Sequence, residues 1–253
     1  MAARLRRECP WDRAQTAATI VPHTVEEAYE GADAVASGED EKLVDELGDL
    51  LFQTYFLSLL LEERDAGDLE TVARRAHDKL VRRHPHVFHS PGELGTPGEV
   101  KARWEELKSA QEAREGIFHH VPPALPALLY AKKVQRRAAG AGFEYPDAAG
   151  AFADLADEVE ELRRELPSHD PAPETEPDER HFREIGDVLF ACVNVARRLN
   201  VDPELALRAA SDRFRARVVA AERLAREGGL AFAELPLADQ DRFFDLAKKV
   251  ERP

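Results

Sequence analysis

Along most of this chain apolar residues recur every three or four positions, and alternating β-branched runs are scarce. Ala, Leu, Glu and Arg dominate the repeating segments, and these are strong helix formers. The pattern predicts an all-α fold. A first helix is expected from Thr24, where Thr24-Val-Glu-Glu27 reads as a capping box, to Gly38. A second runs from Asp40 to Arg64, with Leu43, Leu47, Leu50, Leu51, Tyr55, Leu57 and Leu61 forming a broad apolar face. A third covers Asp68 to Arg83 and stops at His84-Pro85, since a residue before proline is pushed out of the helical region. Gly and Pro mark a loop from Ser90 to Gly98, and a further helix is expected from Val100 to Arg114.

The second half restarts with helices over Ala124 to Ala139 and Asp147 to Leu166, joined by a glycine-rich turn ending in Gly142-Phe-Glu-Tyr145. Pro167 to Pro177, rich in Pro, Asp, Glu and Ser, reads as an exposed loop. Helices over Glu179 to Leu199, Pro203 to Arg226 and Leu237 to Val250 follow. The division between halves is expected between Gln111 and Leu125, giving domains 1–115 and 116–253.

A repeat links the halves. Glu46-Leu-Gly-Asp49-Leu-Leu-Phe52 returns as Glu184-Ile-Gly-Asp187-Val-Leu-Phe190. Upstream, Glu26-Glu27-Ala-Tyr-Glu30 is echoed by Asp157-Glu158-Val-Glu160-Glu161. Downstream, Ala76-His-Asp-Lys79-Leu-Val-Arg-Arg83 is echoed by Ala210-Ser-Asp-Arg213-Phe-Arg-Ala-Arg217. Three blocks in one order, twice, describe a duplicated domain.

Composition changes the picture only at the margins. At 253 residues with 43% hydrophobic content, the chain can bury two helical cores. A net charge of −14 excludes a general nucleic-acid binder, which needs a basic footprint. Cys9 and Cys192 form no metal-binding pattern and read as reduced thiols. Neither a secretory signal nor a run of membrane-spanning length is visible, so a cytoplasmic protein with no membrane partner is expected.

The acidic blocks carry the candidate chemistry. Residues three apart share a helix face, so Glu27 and Glu30 project together, as do Glu46 and Asp49 on the next helix. If those helices pack antiparallel, four carboxylates converge, and Glu158, Glu161, Glu184 and Asp187 repeat the arrangement. Converging carboxylates raise one another's pKa values unless a cation sits among them, and all-oxygen ligation favours Mg²⁺, with Mn²⁺ also possible. A lone pair of acids at this spacing is ordinarily a solvated helix face. Here Glu46 and Asp49 lie in a strongly apolar stretch, where unpaired charge is costly. Gly48 and Gly186 each cost about 1 kcal/mol relative to Ala inside a helix, a cost with a purpose if a neighbouring helix approaches closely there. A di-iron bundle would need Glu-x-x-His, and no histidine has a glutamate three residues before it.

At these residues the chain resembles the MazG family of all-α nucleoside triphosphate pyrophosphatases, whose signature is EExxE, a spacer, then ExxD. Glu26, Glu27, Glu30, Glu46 and Asp49 match it fully, and the second half matches with Asp157 in place of the first Glu. Cys9-Pro-Trp-Asp12, Lys79 to Phe88, and Lys133-Val-Gln-Arg-Arg-Ala138 leading to Gly142-Phe143 extend the resemblance over nearly the whole chain except Pro167 to Pro177. It implies two tandem MazG-like helical bundles, homodimers formed by helix packing, and Mg²⁺-dependent hydrolysis of nucleoside triphosphates to monophosphate and pyrophosphate. The eight carboxylates above would hold metal, and those of the second half would be catalytic. The metal chemistry implied is polarisation of the phosphate and help in generating the attacking hydroxide, with a free carboxylate as base. Lys133, Arg213 and Arg217 match positions that contact triphosphate, with Lys79 and Arg83 as counterparts in the first half.

The second site is favoured slightly. Asn194 stands seven residues after Asp187, two turns along one face, where the first half has Phe56. Its amide would support metal or nucleotide, or make a helix–helix hydrogen bond. Against that site, Asp154 stands where many relatives have a basic residue. Phe143 and Tyr145 are open to stacking on a base or packing in the core, Trp11 and Trp104 read as packing residues, and His84, His86 and His89 as a helix terminus or phosphate neighbour rather than a metal cluster. Two other functions stay open: a narrower enzyme for one modified nucleotide or dUTP, and a catalytically silent cation-binding scaffold.

Overall fold

The computed structural model describes residues 1–89, 96, 98–100, 116–119, 121–172 and 174–250, and there is no strand among them. The chain divides into two compact units, Met1–Ala113 and Arg114–Pro253. No helix among the described residues is long and apolar enough to cross a membrane.

In the first unit, α1 (Ala2–Glu8) and α2 (Pro10–Ala14) precede α3 (Ala17–Ser37), α4 (Asp40–Glu62), α5 (Leu69–Arg83) and a single turn, α6 (Pro85–Phe88). The start of α3 corrects the expected cap. Thr16, not Thr24, is the N-cap, exchanging bonds with Thr19 in a capping box. Thr24 lies inside the helix, where its hydroxyl donates to the Ile20 carbonyl. Pro22 lies inside α3 at its sixth position, past the first turn, and forfeits one intrahelical hydrogen bond there. At the other end Gly38, at φ 74°, reverses the chain into α4, so α3 and α4 form an antiparallel hairpin.

The hairpin core is Ile20, Phe56 and Leu60, with Ala17, Phe52 and Leu57 against it. Leu47 and Leu51, expected on the buried face of α4, are exposed instead. The α1–α2 segment closes over this core. The Arg6 guanidinium lies 5.8 Å from the Phe56 ring centre and makes paired hydrogen bonds of 2.7 and 2.8 Å to Glu63. Trp11, expected to pack, is more than half exposed.

The second unit contains α7 (Ala127–Gly140), α8 (Ala148–Glu165), α9 (Glu179–Arg198), α10 (Pro203–Glu227), a 3₁₀ turn at Phe232–Glu234 and α11 (Leu237–Val250). Asp147, Asp178 and Asp202 cap α8, α9 and α10 through their side chains. The most extensive pairing is α8 on α9, while α7 packs on α9 and α10 and α11 packs on α10. Buried Ala151, Ala191, Ala221, Ala225 and Ala247 keep these helices close together. An ion pair of 2.6 Å between Lys132 and Asp202 ties α7 to the first turn of α10. Of the helix expected over Val100 to Arg114, residues 101–114, including Trp104, lie outside the described residues, as does most of the loop from Ser90 to Gly98.

Candidate metal centres and the cavity beside one of them

Each helix hairpin brings its acidic blocks together. In the first unit one carboxylate oxygen from each of Glu27, Glu46 and Asp49 lies within 4.8 Å of the others; in the second the same holds for Glu158, Glu161 and Glu184. Two predicted ligands stand outside these trios, and they differ between the units: Glu30 in the first and Asp187 in the second. Both still act on their clusters. The Glu30 charge acts on Glu46, and the Asp187 charge acts on Glu158.

The electrostatics are those of crowded like charges. Glu27 is raised above its ordinary pKa by desolvation, then by Asp49, Glu30, Glu46 and Glu26. Glu46 is raised by desolvation and by Glu30, with Lys42 opposing. Glu158 is raised by desolvation, then by Asp187, Glu161, Asp154 and Glu184. An all-carboxylate set that disfavours its own ionisation fits a hard divalent cation, which would offset the repulsion.

Close helix approach occurs elsewhere than expected. An added Cβ at Gly48 or Gly186 would meet nothing within 4 Å, and both glycines are exposed. Gly31 on α3 is the buried one, and its missing Cβ would lie 3.8 Å from the Glu46 Cβ. Gly48 sits in an exposed apolar stripe with Val44, Leu47 and Leu51; Gly186 sits in the matching stripe with Phe182, Ile185 and Leu189.

The predicted basic residues are spread over three helices. Lys79 is exposed on α5, at a cleft it shares with Arg75, Asp78 and Arg82, and Arg83 is half-buried near the helix end. Lys133 is half-buried on α7; Arg213 is exposed and Arg217 half-buried, one turn apart on α10. Lys79, Lys133 and Arg213 have no ion-pair partner among the described residues. No cation site among the described residues includes His84, His86 or His89; His84 Nδ1 donates to the Leu80 carbonyl, 2.7 Å away.

Beside the second cluster lies a cavity of about 580 Å³, bounded by α7, α8, α9 and the Gly142–Tyr145 segment. Asp154, one turn before Glu158, lies at its wall and accepts a 2.7 Å hydrogen bond from the Tyr145 hydroxyl. Asn194 lines it too, but makes no helix–helix bond. Its Oδ1 accepts from Arg197 Nε and Nη2 at 3.1 and 2.6 Å, and Arg197 pairs with Glu144 at 2.7 Å. That pairing holds the Glu144 carboxyl below its ordinary range. Gln135 and Glu144 escaped the sequence-based selection. Gln135 had a visible signal: it is a polar residue in the apolar face formed by Leu128, Ala131 and Ala138.

The corresponding place in the first unit is occupied by a core side chain. Phe56, the counterpart of Asn194, is fully buried in the core beneath Arg6.

Comparison with known proteins follows the same lines. The family described as MazG nucleotide pyrophosphohydrolase domain matches residues 15–88, within the first unit. The nucleoside triphosphate pyrophosphohydrolase of Escherichia coli K12 is 37% identical over 247 residues, covering 96% of this chain and 91% of that protein. The nucleoside triphosphate pyrophosphohydrolase/pyrophosphatase MazG of Thermotoga maritima is 36% identical over 242 residues, covering 95% and 89% respectively. The nucleoside triphosphate pyrophosphohydrolase of Mycobacterium tuberculosis is 36% identical over 144 residues, or 56% of this chain and 44% of its own length.

Proposed function

The chain belongs to the MazG family of nucleotide pyrophosphohydrolases, and we propose on that premise that its second unit carries the working site. The enzyme hydrolyses nucleoside triphosphates to monophosphate and pyrophosphate, as a house-cleaning hydrolase of the nucleotide pool in a cytoplasmic setting. The observation that carries the assignment to the second unit is the open cavity next to Glu158, Glu161 and Glu184, where the first unit is filled by Phe56.

In this reading Glu158, Glu161, Glu184 and Asp187 hold Mg²⁺, with Mn²⁺ as a substitute, and Glu27, Glu30, Glu46 and Asp49 bind the same ions in the first unit. The bound ion supplies charge neutralisation of the triphosphate and a lowered pKa for the attacking water. The chain's own groups do the rest. Lys133, Arg213 and Arg217 neutralise phosphate oxygens, and Asn194 holds its place through Arg197 and Glu144. A carboxylate of the cluster that the ion leaves free is suited to take the proton of the water. Lys79 and Arg83 are the corresponding phosphate contacts in the first unit. The two units are tandem MazG-like domains. Copies of the chain pair through the exposed stripes around Gly48 and Gly186, where a missing side chain lets two helix backbones approach.

The test is pyrophosphate release from a panel of nucleoside triphosphates with Mg²⁺. Glu184→Ala should lower kcat/KM on the order of 10²-fold or more, and Glu46→Ala should cost less. Equal losses would place catalysis in both units, and a wild type that releases no pyrophosphate from any nucleotide would overturn the enzymatic reading for this chain.

A further inference from the structure

Three cations on one face of α5 stand without a counter-charge. Arg75, Lys79 and Arg82 are exposed, and none has an ion pair or a side-chain hydrogen bond among the described residues. At about 100° per residue they fall within an arc of about 60°, spread over about 10 Å of helix. Four other helical arginines are each answered by an acid one turn away: Arg4 by Glu8, Arg74 by Glu70, Arg183 by Glu179 and Arg226 by Glu222. Arg74, next in sequence to Arg75, is one of them. Like charges one turn apart weaken a helix, and in a chain with a net charge of −14 three neighbouring cations left unanswered are out of character.

The three side chains line a cleft of about 580 Å³, together with the half-buried Val72 and Ala76. Asp78 is the one acid of the lining, and it accepts from His77 Nδ1 at 3.1 Å. The cleft is not a second version of the triphosphate contacts. In the repeated sequence blocks Lys79 and Arg83 align with Arg213 and Arg217 on α10, but Arg75 and Arg82 align with Ala209 and Ala216. The basic face belongs to the first unit alone.

We infer that this cleft binds a linear oligophosphate, held by Arg75 and Arg82 on either side of Lys79. Guanidinium groups take phosphate oxygens in paired, charge-assisted hydrogen bonds. The arginines are seven residues apart along the helix, about 10 Å at 1.5 Å per residue, and a chain of phosphates matches that spacing better than a single phosphate does. No metal ion is required, because the cleft supplies the positive charge itself. That separates it from the carboxylate clusters, and binding here breaks no bond, so the inference does not depend on the pyrophosphohydrolase reading.

The test uses the full-length chain in divalent-free buffer, where the bare carboxylate clusters repel anions, and reads calorimetric binding of tripolyphosphate, ATP and orthophosphate. Wild type should bind orthophosphate about 10-fold more weakly than tripolyphosphate. Arg75→Ala and Arg82→Ala change exposed side chains and leave folding intact. Each should weaken tripolyphosphate about fivefold and the pair together about 25-fold, while Arg74→Ala, off this face, changes nothing. ATP bound as tightly as tripolyphosphate assigns the cleft to the phosphate tail of a nucleotide; ATP bound about 10-fold more weakly assigns it to an inorganic chain. With Mg²⁺, kcat/KM for pyrophosphate release by the double variant should stay within about twofold of wild type. The site is overturned if wild type binds no tripolyphosphate, if the double variant binds it unchanged, if Arg74→Ala weakens it equally, or if orthophosphate binds as tightly. A fall in kcat/KM in step with affinity would also overturn it, by placing both arginines at the nucleotide. A chain that releases no pyrophosphate but binds tripolyphosphate as stated would lose the reaction and keep this site.

Discussion

Individual residues here are defined by what surrounds their charge. Glu144 and Arg197 are largely buried, their side chains 22% and 12% exposed, and the pair is bidentate and charge-assisted. Because Arg197 holds the Glu144 carboxyl below its ordinary value of 4.5, the stability from the pair is fully present above that value. It is lost as pH falls through the lower folded pKa. Glu144→Gln should therefore cost about 1–2 kcal/mol in denaturant unfolding at pH 7, and the difference from wild type should shrink towards zero as pH falls through the lowered Glu144 pKa. A difference that persists undiminished in acid would show that packing, not the ion pair, is lost. Glu158 behaves in the opposite sense. Desolvation and its acidic neighbours raise its pKa, so the ionised cluster costs folding free energy above the raised value and is relieved below it.

At the scale of the element, caps and glycines separate what a helix needs from what its neighbours need. Thr16 satisfies a backbone donor of α3, whereas Thr24 bonds only a carbonyl within it. Thr16→Ala should lower stability by about 1 kcal/mol, and Thr24→Ala by clearly less, as read from thermal unfolding. The capping-box pattern at Thr24 was present in the sequence, but a stronger one eight residues earlier uses Thr19 rather than Glu or Gln as its reciprocal partner. Gly48 and Gly186 pose a different question, since an alanine at either would meet nothing within 4 Å. Within one chain Gly48→Ala and Gly186→Ala should each favour the helix by up to about 1 kcal/mol. If the stripes pair between copies, the same substitutions weaken the dimer. Light scattering over a concentration series separates the two effects, and a mass unchanged by dilution and by both substitutions would remove these stripes as the dimer contact.

For the whole molecule, the two units hold hairpins with like clusters and unlike surroundings. A cation bound to the folded state alone stabilises it by mass action, by about 2.7 kcal/mol at a concentration of 100 times its Kd. Since Glu27 and Glu158 are both raised, protons compete with the ion at low pH. Added Mg²⁺ should raise Tm more at pH 8 than at pH 5, and Glu46→Ala combined with Glu184→Ala should abolish most of that increment. An increment independent of pH and of both substitutions would mean that the ion binds elsewhere.

Helical class, the order of the repeated blocks and the pairing of acidic residues on α3 with α4 and α8 with α9 are all set by local periodicity, and they are readable from the chain alone. The three-residue spacing of Glu27 with Glu30 and of Glu46 with Asp49 already places each pair on one helix face. Which three oxygens converge most closely is not local, because it depends on rotamers and helix packing, and the two units differ at Glu30 and Asp187. Nor is burial: Leu47 and Leu51 carry the same side chains as core residues but point away from the hairpin partner. One aligned position sets the two halves apart. Phe56 and Asn194 were visible as different residues in the sequence, yet only the packing of α1, α3 and α4 in one unit, and of α7, α8 and α9 in the other, makes the first a plug and the second the wall of a cavity.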